Sequence, residues 1–259
     1  MKARHLSLDA LILKVAPQGE ADLWVTLLSP VAGLLHARAP VALKSQKRFM
    51  GALMTGVLES VSLVRRHEVW FLEEAQVRSG FSRAKATPSS YALICYAVEA
   101  VLATHPEGPA GSPAFPLLMT LLECLDNGES DLPLCRLAWD FRLLDALGLA
   151  PDLGPCVECS VEVQTDPVSF DARAGGVLCS HHAAGSATEI SLSRLAVFAL
   201  GQLRSDPFPI PPGVAPAPRD RKAMRIAVDQ LMTWHLPLES RSLTVLKQLS
   251  KVSTRQILS

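Results

Sequence analysis

Apolar and polar positions follow two different rhythms along this chain. From Leu8 to about Phe81 they form short apolar or alternating runs: "LDALILKVA", "DLWVTLLS", "GLLHARAPVAL", "GVLESVSLVRR" and "EVWFLEEAQV". The runs are rich in Val, Leu and Trp and are punctuated by Gly, Pro and Ser-Pro, as short strands are. About five strands in roughly 80 residues suit a small closed barrel better than an open sheet, because closure removes unpaired edges.

After "SRAKATPSS" the period lengthens. Thr87-Pro88 offers a capping hydroxyl and a first-turn proline, and Tyr91, Ile94, Cys95, Val98, Val101 and Leu102 then recur at helical spacing. A second helix carries Leu117, Leu118, Leu121, Leu122 and Leu125 and stops at Asn127-Gly128. A third, "LCRLAWDFRLLDALGLAP", ends at Gly148. Helices resume at "SLSRLAVFALGQL" and, past a proline-rich linker, at "RDRKAMRIAVDQLMTWHL" and "SRSLTVLKQLS". The pattern predicts an α+β chain of more than one domain. A β-barrel covers residues 1–82, and a helical domain covers 86–259 with a loop, 155–186, inserted in it.

That loop changes the chemistry. Cys156-x2-Cys159 is followed, 19 residues on, by Cys179-x2-His182. Zn²⁺ prefers four soft or borderline ligands in a tetrahedron, and each x2 turn holds two donors on one side of it. Gly175-Gly176 suits a tight turn whose backbone approaches the metal. His181 is an alternative fourth ligand, although the x2 spacing favours His182. Four protein ligands leave no open position, so the predicted metal is structural. The competing readings are incidental loop thiols or a redox pair, the latter disfavoured because no βαβ pattern surrounds it. Cys95, Cys124 and Cys135 fall on apolar helix faces and read as buried small hydrophobes.

Charge adds a second candidate site. The chain is neutral overall, with 25 basic and 25 acidic residues, but unevenly so. Residues 1–85 carry 12 Lys/Arg against 7 Asp/Glu, 86–185 carry 3 against 13, and 186–259 carry 10 against 5. Between Leu23 and Leu58 there is no carboxylate, while His36, Arg38, Lys44, Lys47 and Arg48 are all present. A small barrel with a basic strand and loop can track a phosphate backbone. The plainer alternative is a solvated basic loop. Trp24, Phe49, Trp70 and Phe71 are the aromatic candidates for base stacking, most of them better placed in a core. Arg65-Arg66 could extend the basic track. Arg219, Arg221, Lys222 and Arg225 read as a solvated helix face before they read as a phosphate or acidic-peptide patch.

Other classes find no support. No run reaches the roughly 18 apolar residues of a membrane span, and the first residues lack a signal-peptide pattern. A cytoplasmic protein with reduced thiols is therefore expected. No H-E-x-x-H, P-loop, G-x-S-x-G or dinucleotide fingerprint occurs, so no enzyme is indicated.

Several stretches resemble one family in order along the chain. "DALILKVAPQGEADLWVTLLSPVAGLLHARAPV", with a G-E-x-D turn at Gly19, Glu20 and Asp22, is similar to the opening of the RecO family of bacterial recombination mediators. "KSQKRFMGAL" resembles the family's next loop. "RLAWDFRLLDALGLAPDLGPCVECS" with "FDARAGGVLCSHH" resembles its helix and zinc loop, and "HLPLESRSLTVLKQL" its C-terminal helix. The resemblance implies an N-terminal OB-fold and a helical domain with a zinc loop. It also implies binding of single- and double-stranded DNA, strand annealing in recombinational repair, and a nucleoid-associated place in the cytoplasm. With RecR, the family loads RecA onto strands coated by single-stranded-DNA-binding protein, whose acidic, apolar tail would dock on the helical domain. Here Ala39-Pro40-Val41 follows Arg38 where the family often has Gly-Ala-Arg, which would remove one basic contact. That departure, with the zero net charge, favours the rival expectation of a zinc-stabilised protein–protein adaptor.

Overall fold

The computed structural model describes residues 4–45, 48–49, 52–108, 113–128, 131–184, 188–205, 207–211, 213–214, 216–236 and 238–257. In chain order the elements are β1 (Arg4–Gln18), β2 (Asp22–Ser29), β3 (Gly33–Ala39), β4 (Leu58–Arg66) and β5 (Val69–Ser79). Helices α1 (Pro88–Thr104), α2 (Ala114–Asn127) and α3 (Leu132–Ala146) follow. Then come β6 (Val168–Asp171), β7 (Gly176–Leu178), α4 (Ser180–Ala183) and β8 (Ile190–Leu192). Helices α5 (Arg194–Gln202), α6 (Pro218–His235) and α7 (Arg241–Ile257) complete the order. By contact the chain forms two units, Met1–Gly128 with Ser240–Ser259, and Glu129–Glu239. The expected boundary at 82–86 marks the change from strands to helices, whereas contact groups α1, α2 and α7 with the barrel's unit.

In the first unit the five strands close into a barrel in the order β1-β2-β3-β5-β4. All pairs are antiparallel except β3 with β5, where Ala37 meets Trp70 and Arg38 meets Phe71. This is the five-stranded order of an OB-fold, and closure gives every strand two neighbours. Alternation decides what faces inward. Val25, Leu27, Ala37, Ala39, Val61, Leu63 and Leu72 join Ala10 and Ile12 in one core, while Trp24, His36 and Arg38 alternate to the outer face. The third run had been expected to continue as strand to Leu43. It stops at Ala39, because Pro40 has no N–H to donate and Val41 adopts a left-handed backbone (φ 56°) that opens a 3-10 turn at Ala42–Lys44.

Helix α1 begins as its sequence announces, with the Thr87 side chain accepting from Ser90 N–H. Helix α2 ends at Gly128, whose φ of 88° only glycine adopts freely. Helix α7 is tied to α1 by one carboxylate: Glu99 accepts the Ser240 hydroxyl at 2.5 Å and the Ser242 hydroxyl at 2.6 Å.

In the second unit, α3 packs on α6 around a charge network. Asp140, fully buried, accepts from Arg225 at 2.7 Å. Asp229 accepts from Arg136 at 2.5 Å and from Arg225 at 2.8 Å. Arg225 is therefore not part of a solvated helix face, and Arg221 is paired with Asp131. Arg219 and Lys222 remain exposed. The loop after α3, read as polar turns, contains a three-stranded sheet in the order β7-β6-β8. Its strands are three or four residues long, too short to show a period of two in sequence.

Candidate nucleic-acid interface and metal centre

The basic stretch is set into the barrel by the two carboxylates that border it. Asp22, at the start of β2, accepts the Val41 backbone N–H at 2.7 Å and pairs with the Arg38 guanidinium at 2.6 Å. Glu59, on β4, accepts the Leu53 backbone N–H at 2.8 Å from a fully buried position. Val41 and Leu53 both have left-handed backbones, with φ of 56° and 60°. For a residue with a side chain that conformation costs on the order of 1–3 kcal/mol and persists only where its surroundings hold it. A buried hydrogen bond whose loss costs about 1–3 kcal/mol is the right size for Glu59 to offset it at Leu53. The Ala21 carbonyl adds a third anchor by accepting Leu43 N–H at 3.0 Å.

The cations divide into two groups. Arg38 is engaged by Asp22, although its side chain stays 45% exposed. The His36 ring lies between the Thr26 hydroxyl at 3.0 Å and the Glu107 carboxylate at 2.9 Å, and it stacks on Trp24. Lys44 and Arg48 are exposed, and neither meets a carboxylate among the described residues. Arg48 donates to the Pro40 carbonyl at 2.5 Å, which folds it across the loop. It also borders a groove of about 400 Å³ lined by Ser7, Ser60, Ser62, Glu74 and Gln76. Lys47 lies outside the described residues. Arg65 and Arg66 are paired with Glu68 and Glu73, so their charge is locally cancelled. Of the aromatics, Phe49 is buried in the barrel core, Trp70 packs against it, and Trp24 and Phe71 are half-buried.

The second unit carries a distinct site. Sulfurs of Cys156, Cys159 and Cys179 and a ring nitrogen of His182 lie within 4.8 Å of one another. Nδ1 of His182 is 3.3 Å from the Cys179 sulfur and 3.6 Å from that of Cys156, and the Cys159 and Cys179 sulfurs are 3.8 Å apart. His181 is not in the cluster; its ring stands edge-on to His182. Burial pushes the Cys156 thiol up, but the backbone N–H groups of Cys179, Glu158 and Cys159 outweigh it and bring it down to about 6. The N–H of His182 lowers Cys179 in the same way. Backbone donors aimed at sulfur favour thiolate, the form that binds metal, so the donor set fits a thiophilic cation such as Zn²⁺. Gly176 has a different role from the one expected. A Cβ there would stand 2.3 Å from the Asp152 carbonyl oxygen, so glycine lets two backbones meet beside the cluster. Around it Cys156, Leu178 and Ala183 form a small core of their own.

Sequence comparison then decides the relationship. Residues 1–81 match the family model described as "Recombination protein O N terminal", and 86–244 match "Recombination protein O C terminal". The chain belongs to the RecO family. A protein named DNA repair protein RecO from Anaeromyxobacter sp. (strain K) is 30% identical over 234 residues, covering 90% of this chain and 92% of the relative. One of the same name from Geobacter sulfurreducens is 33% identical over 172 residues, covering 66% and 70%. RecO membership supports a role in DNA repair and recombination, and the closed barrel fits the N-terminal OB-fold domain of the family. Among the described residues no helix is long and apolar enough to cross a membrane.

Sequence reasoning missed the clamps. Asp22 was legible only as part of a G-E-x-D resemblance, and Glu59 not at all; the one available signal was that both border the acid-free stretch. The two ends of the loop respond oppositely to pH. Asp22 is held below the usual carboxylate range, first by the Val41 N–H and then by Arg38, so its contribution is present above about pH 4 and lost on acidification. Glu59 is raised by burial, only partly countered by the Leu53 N–H. Ionising it in the folded protein is therefore unfavourable, and stability declines as pH rises from about 4.5 through the raised value. Glu59→Gln should retain the Leu53 hydrogen bond and abolish that decline, whereas Glu59→Ala should lose about 1–3 kcal/mol. Urea unfolding of the three proteins across that pH range measures both effects.

Proposed function

We propose that the protein is a DNA-binding recombination mediator that works without covalent chemistry. The observation that supports this best is the pair of exposed cations Lys44 and Arg48 on an acid-free loop of a closed five-stranded barrel. On this reading Lys44, Lys47 and Arg48 hold phosphates of single- and double-stranded DNA, with Arg38 and His36 assisting from the adjoining strand. Each neutralised phosphate releases counterions and lowers the repulsion between strands that are being annealed. Acting with RecR, the protein would load RecA onto strands coated by single-stranded-DNA-binding protein, whose acidic tail would dock on the helical part of the chain. Its place is the cytoplasm, at the nucleoid. The contacts of Arg38 with Asp22 and of His36 with Glu107 favour a second reading, a protein–protein adaptor whose barrel does not touch DNA.

The metal belongs to the same proposal as a structural Zn²⁺ held by Cys156, Cys159, Cys179 and His182. Bound there, it would cross-link a loop whose own core is too small to hold its shape.

Converting Lys44, Lys47 and Arg48 to Glu should abolish binding of a labelled single strand in fluorescence anisotropy while circular dichroism stays unchanged. Lys44→Ala alone should reduce the slope of log affinity against log salt by about one. Retained affinity with an unchanged slope would favour the adaptor. For the metal, elemental analysis should find about one zinc per wild-type chain and far less in Cys159→Ser. The variant and chelator-treated wild type should share a lowered unfolding midpoint, with DNA affinity little changed.

A further inference from the structure

The 3-10 turn that carries Lys44 also holds two large apolar side chains out into water. Leu43 is 54% exposed and Val41 48% exposed. Single exposed apolar residues are ordinary on a protein surface. This pair is unusual for its backbone. A β-branched residue at φ 56° is a genuine outlier, and glycine would occupy the position without strain. Valine here is unfavourable twice over, in its backbone and in its hydration. The turn is nonetheless fixed from two sides, by Asp22 on the Val41 N–H and by the Ala21 carbonyl on the Leu43 N–H. Backbone strain of this kind is characteristic of functional sites.

The neighbours identify the occupant. Lys44 is adjacent in the turn, Arg38 lies on the strand that leads into it, and the Arg48 guanidinium is bonded to the carbonyl of Pro40, immediately before Val41. An apolar tip flanked by the exposed cations Lys44 and Arg48 is complementary to a polymer with anionic phosphates and flat, weakly hydrated bases. It is poorly matched to an apolar protein surface, where the same cations would be buried without partners. Duplex DNA keeps its base faces stacked inside, so the partner is a single strand. We propose that Val41 and Leu43 form a base-contacting tip that packs against unstacked bases of single-stranded DNA while the surrounding cations hold its phosphates. Single-strand binders commonly stack bases on aromatic side chains, and such contacts tolerate any sequence because every base offers a face; Val41 and Leu43 offer an aliphatic surface to the same faces. The inference rests on the DNA-binding reading above and adds to it a preference for single strands with bases.

The test compares a labelled oligonucleotide with an abasic strand of the same length and charge, by fluorescence anisotropy over a range of salt. Wild type should bind the base-bearing strand about fivefold more tightly, with the same salt slope for both. Leu43→Ser should lose most of that preference, with an unchanged slope. Val41→Gly, which relieves the strained backbone, should lose part of the preference while its melting temperature is equal to or above that of wild type. If wild type binds both strands equally, or Leu43→Ser still discriminates as wild type does, the tip is refuted and phosphate binding stands. If wild type binds neither strand, both readings fall.

Discussion

Two carboxylates that grip backbone N–H groups fix the two ends of the proposed binding loop. Asp22 and Glu59 are the nearest acids on either side of a stretch that has none. Each accepts an N–H from a residue in left-handed conformation, Val41 at one end and Leu53 at the other. Because these acids bind main chain, they anchor the loop without consuming the charge of Lys44 or Arg48. A loop of the same composition without the anchors would have to be ordered by its ligand, and that ordering entropy would weaken every contact it made. Holding its ends in advance keeps Lys44 and Arg48 available at little further loss.

The same economy appears in the second unit by other means. There three sulfurs and an imidazole converge beside a small core of Cys156, Leu178 and Ala183. Nearby, α3 and α6 are joined through Asp140 and Arg225, whose mutual pairing accounts for a charge that sequence alone would assign to the surface. In both units, then, a few buried or half-buried charged groups position backbone or helices.

What was legible in sequence was whatever depends on near neighbours. The five strands, apart from the end of the third, the start of α1 at Thr87, the end of α2 at Gly128 and the clustering of the spaced Cys and His are local patterns, and each is found where it was read. What was hidden depends on pairing at a distance. Arg38 and Asp22 are 16 residues apart and meet only because β2 and β3 are antiparallel. Glu107 reaches His36 because the chain after α1 returns to pair Gly108 with Leu34 on β3. A count of basic residues could not separate these engaged cations from Lys44 and Arg48, and a run of apolar letters could not show that the strand ends at Ala39. The positive φ of Val41 and Leu53 was equally invisible, since neither residue type signals it.

The most direct test of the anchored loop is hydrogen exchange at the Val41 and Leu53 amides, read by NMR on the protein without DNA. If Asp22 and Glu59 hold the loop in advance, both amides should exchange orders of magnitude more slowly than an unstructured chain. Exchange at random-coil rates, with protection appearing only once a strand is added, would contradict the account.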